Sequence, residues 1–453
     1  MPAVSVSQRL ASAIVALGRS RVPPDVRESC ERLLLDFAGL CLAARETGYV
    51  TAARAAWPSP GPATILGAAG GFDAAAAAFV NGTAAHGEDF DDTFEGGPVH
   101  AGAVILPAVL ALCEQEELDG KAALLGIAVG CETLCRLSLV APKAVHKAGF
   151  HPTSVFGAVA AAAGAAAALG LGKERLVDAI GIAGSMASGV IEYLAEGAWT
   201  KRMHPGWAAQ SGLRAALLAR AGFTGPRTLL EGVHGLFNGF ARTTTGEWSA
   251  LVDGFGTNWM MTRLAFKPYP CGTMIQPYID CALRLRERGL RAEDIAGIEA
   301  EAAEGIVHRL WEPLAAKQRP ANGYAAKFST PYCIATALVC GEVDLKHFSD
   351  EAVRDEAVLA LAARISYRID PTNPYPGRFT GHVRVNTRDG KVLEDRQPDL
   401  RGGHELPLSR DELERKFMAN AQRGRWPTER ARSALAALAT YFDGPSSMVG
   451  WRE

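Results

Sequence analysis

The feature that most restricts the fold of the first half of the chain is a series of long stretches in which apolar residues recur at helical spacing. Between residues 7 and 263, apolar residues, mostly Ala and Leu, recur at intervals of three or four, and Gly and Pro separate the stretches. That spacing puts the apolar side chains on one face of an α-helix. The sequence therefore predicts an all-helical domain, with helices at residues 26–44, 101–115, 120–139, 152–169, 173–187 and 205–221.

A different pattern begins near residue 266 and continues to about residue 402. Short runs with strand character mix there with helical segments, and Arg388-Asp389-Gly390 has the composition of a hairpin turn. We predict a mainly α protein with an α+β part: a large helical domain at 1–265 and a smaller α+β lid domain at 266–402. The predicted strands are 295–301, 363–369, 382–387 and 391–394, and an amphipathic helix at 409–442 lies in the segment 403–453, which packs back on the first domain.

The charge balance argues against nucleic acid or a membrane as a partner. The chain has 453 residues, with 47 Lys and Arg against 49 Asp and Glu, and no basic run exceeds two residues. Residues 1–22 show no basic start followed by an apolar core, so a cytoplasmic protein is expected. The uncharged stretch 152–171 is long enough to span a membrane, but it is mostly Ala and Gly, which favours a buried core helix.

The cysteines indicate reduced thiols rather than disulfides or a metal site. They are nine in number, scattered and mostly embedded in apolar segments. The one close pair, Cys131 and Cys135, has no second pair to complete a zinc or iron–sulfur set. No metal site is therefore expected.

Several polar clusters contain residues suited to acid–base chemistry. The densest runs from His86 to Glu95 and is followed by His100; if its first part is helical, His86, Asp89 and Thr93 share one face. Singly, each cluster has a structural explanation, such as a capping histidine or a surface lysine. Together they supply the groups that bind a polycarboxylate and move a proton on the neighbouring carbon. The other clusters are 143–154 with His151, 199–206 with Lys201, Arg202 and His204, 266–272 with Lys267, and 326–332 with Tyr332.

Two of these histidines precede proline at the head of a predicted helix, in His151-Pro152 and His204-Pro205. Proline is favoured at the first helical position because its missing N–H costs nothing there. The unpaired N–H groups of a helix N-terminus attract carboxylates. Both histidines are therefore predicted to lie beside a seat for a substrate carboxylate.

Motifs for other chemistries are missing or incomplete. The sequence has no dinucleotide-binding, P-loop, nucleophile-elbow or zinc-protease motif. The segment Asp91-Asp92-Thr93-Phe94-Glu95 resembles the acidic cluster with which helical isoprenoid synthases hold Mg²⁺ and a diphosphate. That alternative lacks a second acidic motif and does not explain the strands. A helical binding module without activity is a third alternative, disfavoured by the clustering of ionisable groups.

Taken together, five segments resemble the MmgE/PrpD family, which includes 2-methylcitrate dehydratase, cis-aconitate decarboxylase and iminodisuccinate epimerase. The resemblance runs through nearly the whole chain. It implies a large helical domain with a smaller α+β lid domain, a homodimer, a small polycarboxylate substrate, and chemistry without a metal or an organic cofactor. The segments are 81–93, 149–153, 201–206, 267–271 and 326–332.

The family pattern, carried over residue by residue, implies roles for individual side chains. We expect His151 to be the general base, His100 the acid and Lys201 the group that stabilises charge on the substrate carboxylate, while Asp89 orients a histidine. The roles of the two histidines are open to reversal. The expected substrate-binding residues are Thr93, Tyr332, Arg202, His204 and Lys267.

Two departures from the family pattern bear on the reaction. His100 lies in Val99-His100-Ala101-Gly102 where many members have His-Pro-Ser, and Gly272 occupies a position where the decarboxylase pattern has histidine. The missing histidine weakens a decarboxylase assignment. We therefore expect a hydro-lyase similar to 2-methylcitrate dehydratase, with an epimerase of an iminodisuccinate-like dicarboxylate, or a cis-aconitate decarboxylase, as alternatives. The sequence leaves open which acid is bound.

Overall fold

The computed structural model describes residues 4–18 and 22–453. The segment 1–22, in which the sequence predicts no leader, therefore lies partly outside the described residues. By its internal contacts the chain divides into two compact units, Met1–Leu264 with Ser409–Glu453, and Ala265–Leu408. The elements are mainly α-helices with a small share of strand, which confirms the predicted fold class.

Helices make up most of the first unit, but two short strands, β1 (Pro60–Ala63) and β2 (Thr93–Phe94), make the prediction of a purely helical domain too strict. A third, β3 (Leu264–Ala265), ends this part of the chain. The helices are α1 (Val6–Leu17), α2 (Pro24–Ala44), α3 (Gly48–Ala56), α4 (Ala74–Gly87), α5 (Gly102–Gln115), α6 (Gly120–Val140), α7 (Ala144–Lys147), α8 (Pro152–Ala168), α9 (Lys173–Met186), α10 (Tyr193–Glu196), α11 (Thr200–Arg220), α12 (Leu236–Ala241) and α13 (Trp248–Val252).

Helix α8 is the centre of the first unit. All its residues are buried, and it packs against α5, α6, α9 and α11. A helix that is apolar on every side belongs in a core, and its Ala and Gly residues allow neighbouring helices to approach closely. Among the described residues, α6 is the one helix long and apolar enough to cross a membrane, and 94% of its most apolar window is buried. Both helices therefore have the character of core helices.

Helix α11 begins earlier than predicted. It starts at Thr200, so Pro205 lies inside the helix and His204 does not stand at a helix N-terminus. Tertiary packing explains the difference, because a Cβ on Gly206 would lie 2.1 Å from the carbonyl oxygen of Phe79 in α4. The close crossing of α4 and α11 holds the segment helical despite the lost backbone hydrogen bond at proline. The predicted carboxylate seat after His204 is wrong, whereas α8 does begin at Pro152.

The polar cluster after α4 is also not helical. The helix ends at Gly87, Asp89 has a left-handed φ of 57°, and Thr93 lies in β2. His86, Asp89 and Thr93 therefore do not share a helical face, and that prediction is wrong. The left-handed residue changes the direction of the chain after α4. Aspartate suits this position, because asparagine and aspartate adopt the left-handed conformation at a lower cost than most residues.

The second unit is built on a four-stranded sheet with the order β5-β4-β6-β7. Strand β4 pairs parallel with β5 and antiparallel with β6, and β6 pairs antiparallel with β7. All four predicted strands are present. The strands are β4 (Ile295–Ala302), β5 (Ile365–Ile369), β6 (Gly381–Thr387) and β7 (Val392–Gln397), and the helices are α14 (Gln276–Glu287), α15 (Glu304–Leu310), α16 (Leu314–Gln318), α17 (Gly323–Ala326), α18 (Thr330–Cys340) and α19 (Glu356–Ala362).

The C-terminal segment forms two helices, α20 (Arg410–Arg423) and α21 (Thr428–Leu438), rather than the single one predicted. The break has a local cause, since Arg425 adopts a left-handed φ of 55° and Pro427 precedes α21. Helix α20 packs on α2 within the first unit. The nine cysteines are free thiols, and eight of them are buried, as the sequence predicted.

Candidate active site

Four histidines from separate elements of the first unit form one cluster. The ring of His86 lies 4.8 Å from that of His100 and 5.8 Å from that of His151, centre to centre. The rings of His151 and His204 are 5.4 Å apart. His86 lies in the last turn of α4, His100 precedes α5, His151 caps α8 and His204 lies in α11. The predicted residues His100, His151 and His204 are therefore close together.

The loop after α4 holds two of these rings by their Nδ1 atoms. Nδ1 of His86 lies 2.7 Å from Oδ2 of Asp91, and Nδ1 of His100 lies 2.7 Å from the backbone oxygen of Asp92. A carbonyl oxygen only accepts hydrogen bonds, so Nδ1 of His100 carries a proton. The lone pair of neutral His100 is therefore on Nε2, where proton transfer takes place.

Asp92 fixes the start of α5, the helix that follows His100. Its two carboxylate oxygens accept hydrogen bonds from the backbone N–H groups of Ala101 and Gly102, each at 2.9 Å. Burial, followed by the nearby charge of Asp91, raises the pKa of Asp92 to about 8, although these two bonds oppose the rise. Both carboxylate oxygens of Asp92 thus bind backbone N–H groups at the start of α5. Asp91 is the carboxylate that faces the histidines.

His151 and His204 form a pair joined at Nδ1. The two Nδ1 atoms are 3.2 Å apart, so one ring donates its N–H to the lone pair of the other. Burial, followed by unfavourable electrostatic interactions with the imidazoles of His86 and His204 and with the ammonium of Lys201, lowers the pKa of His151 well below 6.5. Burial and the same kind of neighbours lower the pKa of His204 to about 4. Both rings are therefore neutral near pH 7, and they present opposite protonation at Nε2.

A glycine shapes the entrance to α8 next to this pair. The backbone N–H of His151 donates to the carbonyl of Gly189 at 2.8 Å. Gly189 has a φ of +118°, and a Cβ there would lie 2.6 Å from Cβ of Ser154. Only glycine combines that backbone angle with so close an approach. The segment before α10 is therefore fixed against the first turn of α8.

Lys201 and Asp89 form a buried ion pair at the same cluster. Nζ of Lys201 donates to Oδ2 of Asp89 at 2.5 Å. Burial alone would lower the pKa of Lys201, but attraction to Asp89 and Tyr193 outweighs it and raises the pKa above 10.5. The lysine is thus a permanent buried cation at neutral pH. Asp89 orients Lys201 in this arrangement, and its predicted role of orienting a histidine stays a prediction.

Arg202 and Thr93 differ in how near they come to the cluster. The guanidinium of Arg202 lies 4.4 Å from the ring centre of Tyr49 and 3.9 Å from a carboxylate oxygen of Glu88. It is therefore engaged with Tyr49 and Glu88 beside Lys201. Thr93 is buried in β2, and its role in substrate binding stays a prediction.

Two predicted residues belong to the second unit. Tyr332 is buried in its core, and its hydroxyl donates to the backbone oxygen of His347 at 2.7 Å. That hydroxyl therefore makes a hydrogen bond within the second unit, and the role of Tyr332 in substrate binding stays a prediction. Lys267 is also buried, next to Phe266, whose N–H donates to the carbonyl of Gly402. Its role stays a prediction.

One group among the described residues has the composition of a metal site. Ligand atoms of His86, Asp91 and His100 all lie within 4.8 Å of one another. The separation of 2.7 Å between His86 Nδ1 and Asp91 Oδ2 is that of a hydrogen bond. Two ligands of one tetrahedral zinc ion, each about 2.0–2.1 Å from the metal, would be roughly 3.3 Å apart. The side chains therefore have the geometry of a hydrogen-bonded cluster.

Comparison with protein families agrees with this arrangement. The MmgE/PrpD N-terminal domain matches residues 8–249, and the MmgE/PrpD C-terminal domain matches residues 269–440. The chain belongs to the MmgE/PrpD family. The resemblance drawn from the sequence is confirmed, and the isoprenoid-synthase alternative is excluded.

Curated relatives of this MmgE/PrpD chain carry decarboxylase names. A cis-aconitate decarboxylase-like protein of Aspergillus oryzae is 27% identical over 440 residues, with 92% of this chain and 90% of the relative covered. The cis-aconitate decarboxylases of Mus musculus and Homo sapiens are each 30% identical, with 77% of this chain and 72% of the relative covered. At the family level the chain is an enzyme of the lyase type.

Three residues of the cluster were not among the predicted site residues. His86 and Asp91 lie in the polar segment from His86 to Glu95, but the family pattern carried over to this segment selected Asp89 and Thr93 instead. Tyr193 begins α10, and its ring lies 6.4 Å from that of His151 and 5.7 Å from that of His204. No local pattern marks Tyr193, because its partners are distant in sequence.

Proposed function

We propose that this MmgE/PrpD enzyme removes a proton from the carbon beside a carboxylate of a small polycarboxylate, without a metal or an organic cofactor. The observation that carries the proposal is the buried ammonium of Lys201 next to a neutral histidine pair. Loss of the C–H proton adds charge to the adjacent carboxylate. A preorganised cation that stabilises such charge contributes about 2.7–4 kcal/mol, by analogy with oxyanion-hole donors.

His151 serves as the general base. Its depressed pKa keeps the ring unprotonated at neutral pH, so a lone pair is available. His151 is also the N-cap of α8, a helix of 17 residues, so the N-terminus of that helix lies beside the base. A substrate carboxylate is favoured at such a helix N-terminus. Base and carboxylate seat are thus supplied by consecutive residues.

His100 serves as the acid. Protonated at Nε2, it gives that proton to the departing hydroxyl group, which leaves as water, while His151 holds the proton taken from carbon. The bond from carbon to hydrogen and the bond from carbon to oxygen break, and a carbon–carbon double bond forms. Thr153 of α8 links this helix to the segment that carries His100, because its hydroxyl accepts a hydrogen bond from the backbone N–H of His100 at 3.3 Å.

Dehydration of a 2-methylcitrate-like acid is the reaction we propose, on the ground that Gly272 replaces the histidine of the decarboxylase pattern. Decarboxylation of cis-aconitate is the second candidate, because the curated relatives carry that name. In that reaction CO₂ leaves and a proton is delivered to carbon. Epimerisation, in which the carbon is reprotonated on the opposite face, remains the third alternative.

One experiment separates these reactions. The protein is incubated in D₂O with 2-methylcitrate, citrate, cis-aconitate and iminodisuccinate, and NMR follows both products and deuterium incorporation. We expect loss of water from a hydroxy acid. His151→Gln and Lys201→Met should each lower kcat by about 10²-fold or more, the usual range for acid–base groups. A near-normal kcat with a raised KM would reassign either residue to substrate binding.

A further inference from the structure

The carboxylate of Asp91 lies between two histidines. Its Oδ2 atom is 2.7 Å from Nδ1 of His86 and 3.4 Å from Nδ1 of His100. The side chains of His86 and Asp91 are each 1% exposed, and that of His100 is 12% exposed. A single buried oxygen is thus placed to interact with both imidazoles, of which only His100 reaches solvent to a measurable extent.

His86 contributes a hydrogen bond to this carboxylate. Its Nε2 atom is buried and has no hydrogen-bond partner within residues 4–18 and 22–453. A protonated His86 would bury an unsatisfied N–H at that position, which costs about 1–3 kcal/mol or more. In its neutral form the ring donates from Nδ1 to Asp91 and adds no positive charge beside that carboxylate.

We propose that His86 and Asp91 are positioning residues that assign the acid role to His100. The proposal rests on the proposed function. His86 fixes the orientation of the carboxylate, and the nearby charge of Asp91 stabilises the imidazolium form of His100, whose Nδ1–H donates to the backbone oxygen of Asp92. A carboxylate near Nδ1 supports the imidazolium of catalytic triads by the same electrostatic attraction.

The surroundings of the other histidine favour the opposite role. The charged and titratable groups around His100 are Asp91, Asp92, His86 and His151, and the first of these is an anion directed at Nδ1. His151 instead faces His204 and is close to the Lys201 cation, which disfavours its protonation. The arrangement therefore makes His100 the acid and His151 the base, the assignment that the sequence left open.

The test compares Asp91→Asn and two His86 variants with the unmodified protein. His86→Asn retains an N–H donor near the position of Nδ1, whereas His86→Leu removes it. Glu95→Gln, in the same loop and partly exposed, is the control for loss of a carboxylate. NMR titration of ¹⁵N-histidine in the protein without substrate reports the protonation of His100, and steady-state kinetics report kcat and KM.

We expect Asp91→Asn to lower the pKa of His100 and to reduce kcat by about 10-fold to 100-fold with less than about a threefold change in KM. His86→Leu should lower the pKa of His100 and kcat by part of these amounts. His86→Asn should keep both quantities near the values of the unmodified protein. An unchanged His100 titration in Asp91→Asn would overturn the proposal, even if the variant were less stable. Because the titration needs no substrate, it remains informative if the proposed reaction is wrong.

Zn²⁺ alone provides a further discriminating probe. If the ion bound tightly to the unmodified protein, shifted the Nδ1 resonances of His86 and His100, and lost its affinity in Asp91→Asn, the three side chains would be a metal site, and the positioning role would be overturned. We expect the Nδ1 atoms to remain protonated when Zn²⁺ is added.

Discussion

The ammonium group of Lys416 donates a hydrogen bond to the backbone oxygen of Phe90 at 2.8 Å and lies 3.8 Å from the centre of the Phe90 ring. It also pairs with Asp36 at 2.7 Å, and the side chains of Lys416 and Asp36 are only 7% and 3% exposed. Phe90 separates Asp89 from Asp91. Helix α20 therefore holds the loop that carries both carboxylates of the cluster.

We expect Lys416→Met to lower kcat by about 10-fold to 100-fold, since a displacement of about 1 Å at a catalytic group costs up to 10²-fold. The variant should also lose about 3–5 kcal/mol of unfolding free energy, because one partner of a buried ion pair is removed and the buried carboxylate of Asp36 loses the ammonium group beside it. Urea unfolding and steady-state kinetics measure the two effects.

The double variant Lys416→Met, Asp36→Asn separates stability from positioning. It also removes the buried charge of Asp36 and should recover much of the unfolding free energy, while the bond to the Phe90 carbonyl is still missing. Recovery of kcat together with stability would show that Lys416 acts on the fold and not on the loop.

The histidine pair should make the protein less stable as the pH falls below 6.5. Unfolded His204 binds a proton near pH 6.5, whereas in the folded protein its pKa is about 4, so the unfolded state holds more protons between these values. Stability contributed by this group is complete above 6.5 and declines by about 1.4 kcal/mol for each pH unit below it.

The measurement is urea unfolding of the unmodified protein and of His204→Gln between about pH 4 and pH 7. The variant should show the smaller decline. Asp92 has a raised pKa and contributes the opposite slope, but it is common to both proteins and cancels in the difference. His234→Gln, at an exposed histidine, is the control for loss of one imidazole, and equal slopes in all three proteins would contradict the prediction.

The Lys201–Asp89 pair should set the alkaline limit of activity. Asp89 offsets the effect of burial and keeps the pKa of Lys201 above 10.5. In Asp89→Asn burial acts without this offset, the pKa of Lys201 falls, and the cation is lost at lower pH. We expect the alkaline limb of kcat/KM against pH to move to lower values. The charge of an arginine does not titrate in this pH range. In a protein that carries Lys201→Arg, the further change Asp89→Asn should therefore leave the alkaline limb where it is.

Activity should survive exhaustive treatment with EDTA. The Nδ1 atoms of His86 and His100 lie at hydrogen-bond distance from oxygen atoms of Asp91 and Asp92, so neither Nδ1 atom is presented to a cation as a ligand. Turnover before and after chelation, together with elemental analysis of the protein, checks this. A loss of activity that Mg²⁺ or Zn²⁺ restores would contradict the hydrogen-bonded arrangement.

Local patterns were sufficient to predict six helices of the first unit, α2, α5, α6, α8, α9 and α11, and all four strands of the second unit. The apolar run of α8 and the proline after His151 determine both the helix and its start, because each acts within one turn of the chain. The break between α20 and α21 had a sequence signal in Gly424 and Pro427, which the continuous amphipathic pattern concealed.

Long-range contacts account for what the sequence did not predict. Helix α11 starts at Thr200 because α4 crosses it at Gly206, and no local signal reports that crossing. The left-handed backbone at Asp89 sends that carboxylate to Lys201, 112 residues further along, and leaves Asp91 to the histidines. Residue types predicted the chemistry, whereas the pairing of each carboxylate needed the tertiary structure.

The role of Gly272 is the sharpest test of the reaction type. Its φ is −54°, and a Cβ would lie 3.6 Å from Ile275, Leu310 and the carbonyl of Lys327, which is ordinary van der Waals contact. Neither the backbone angle nor crowding at Cβ demands glycine here. Gly272→Ala should therefore keep the unfolding free energy within about 1 kcal/mol of the unmodified protein.

We expect the unmodified protein and Gly272→Ala to form negligible itaconate from cis-aconitate, because the histidine of the decarboxylase pattern is missing as a proton donor or carboxylate contact. Gly272→His should form at least about tenfold more, since a positioned acid contributes roughly 10²–10⁴. Chromatography of the product measures itaconate directly, with Gly272→Ala as the control for loss of glycine. Rapid itaconate formation by the unmodified protein would show that this position does not decide between dehydration and decarboxylation.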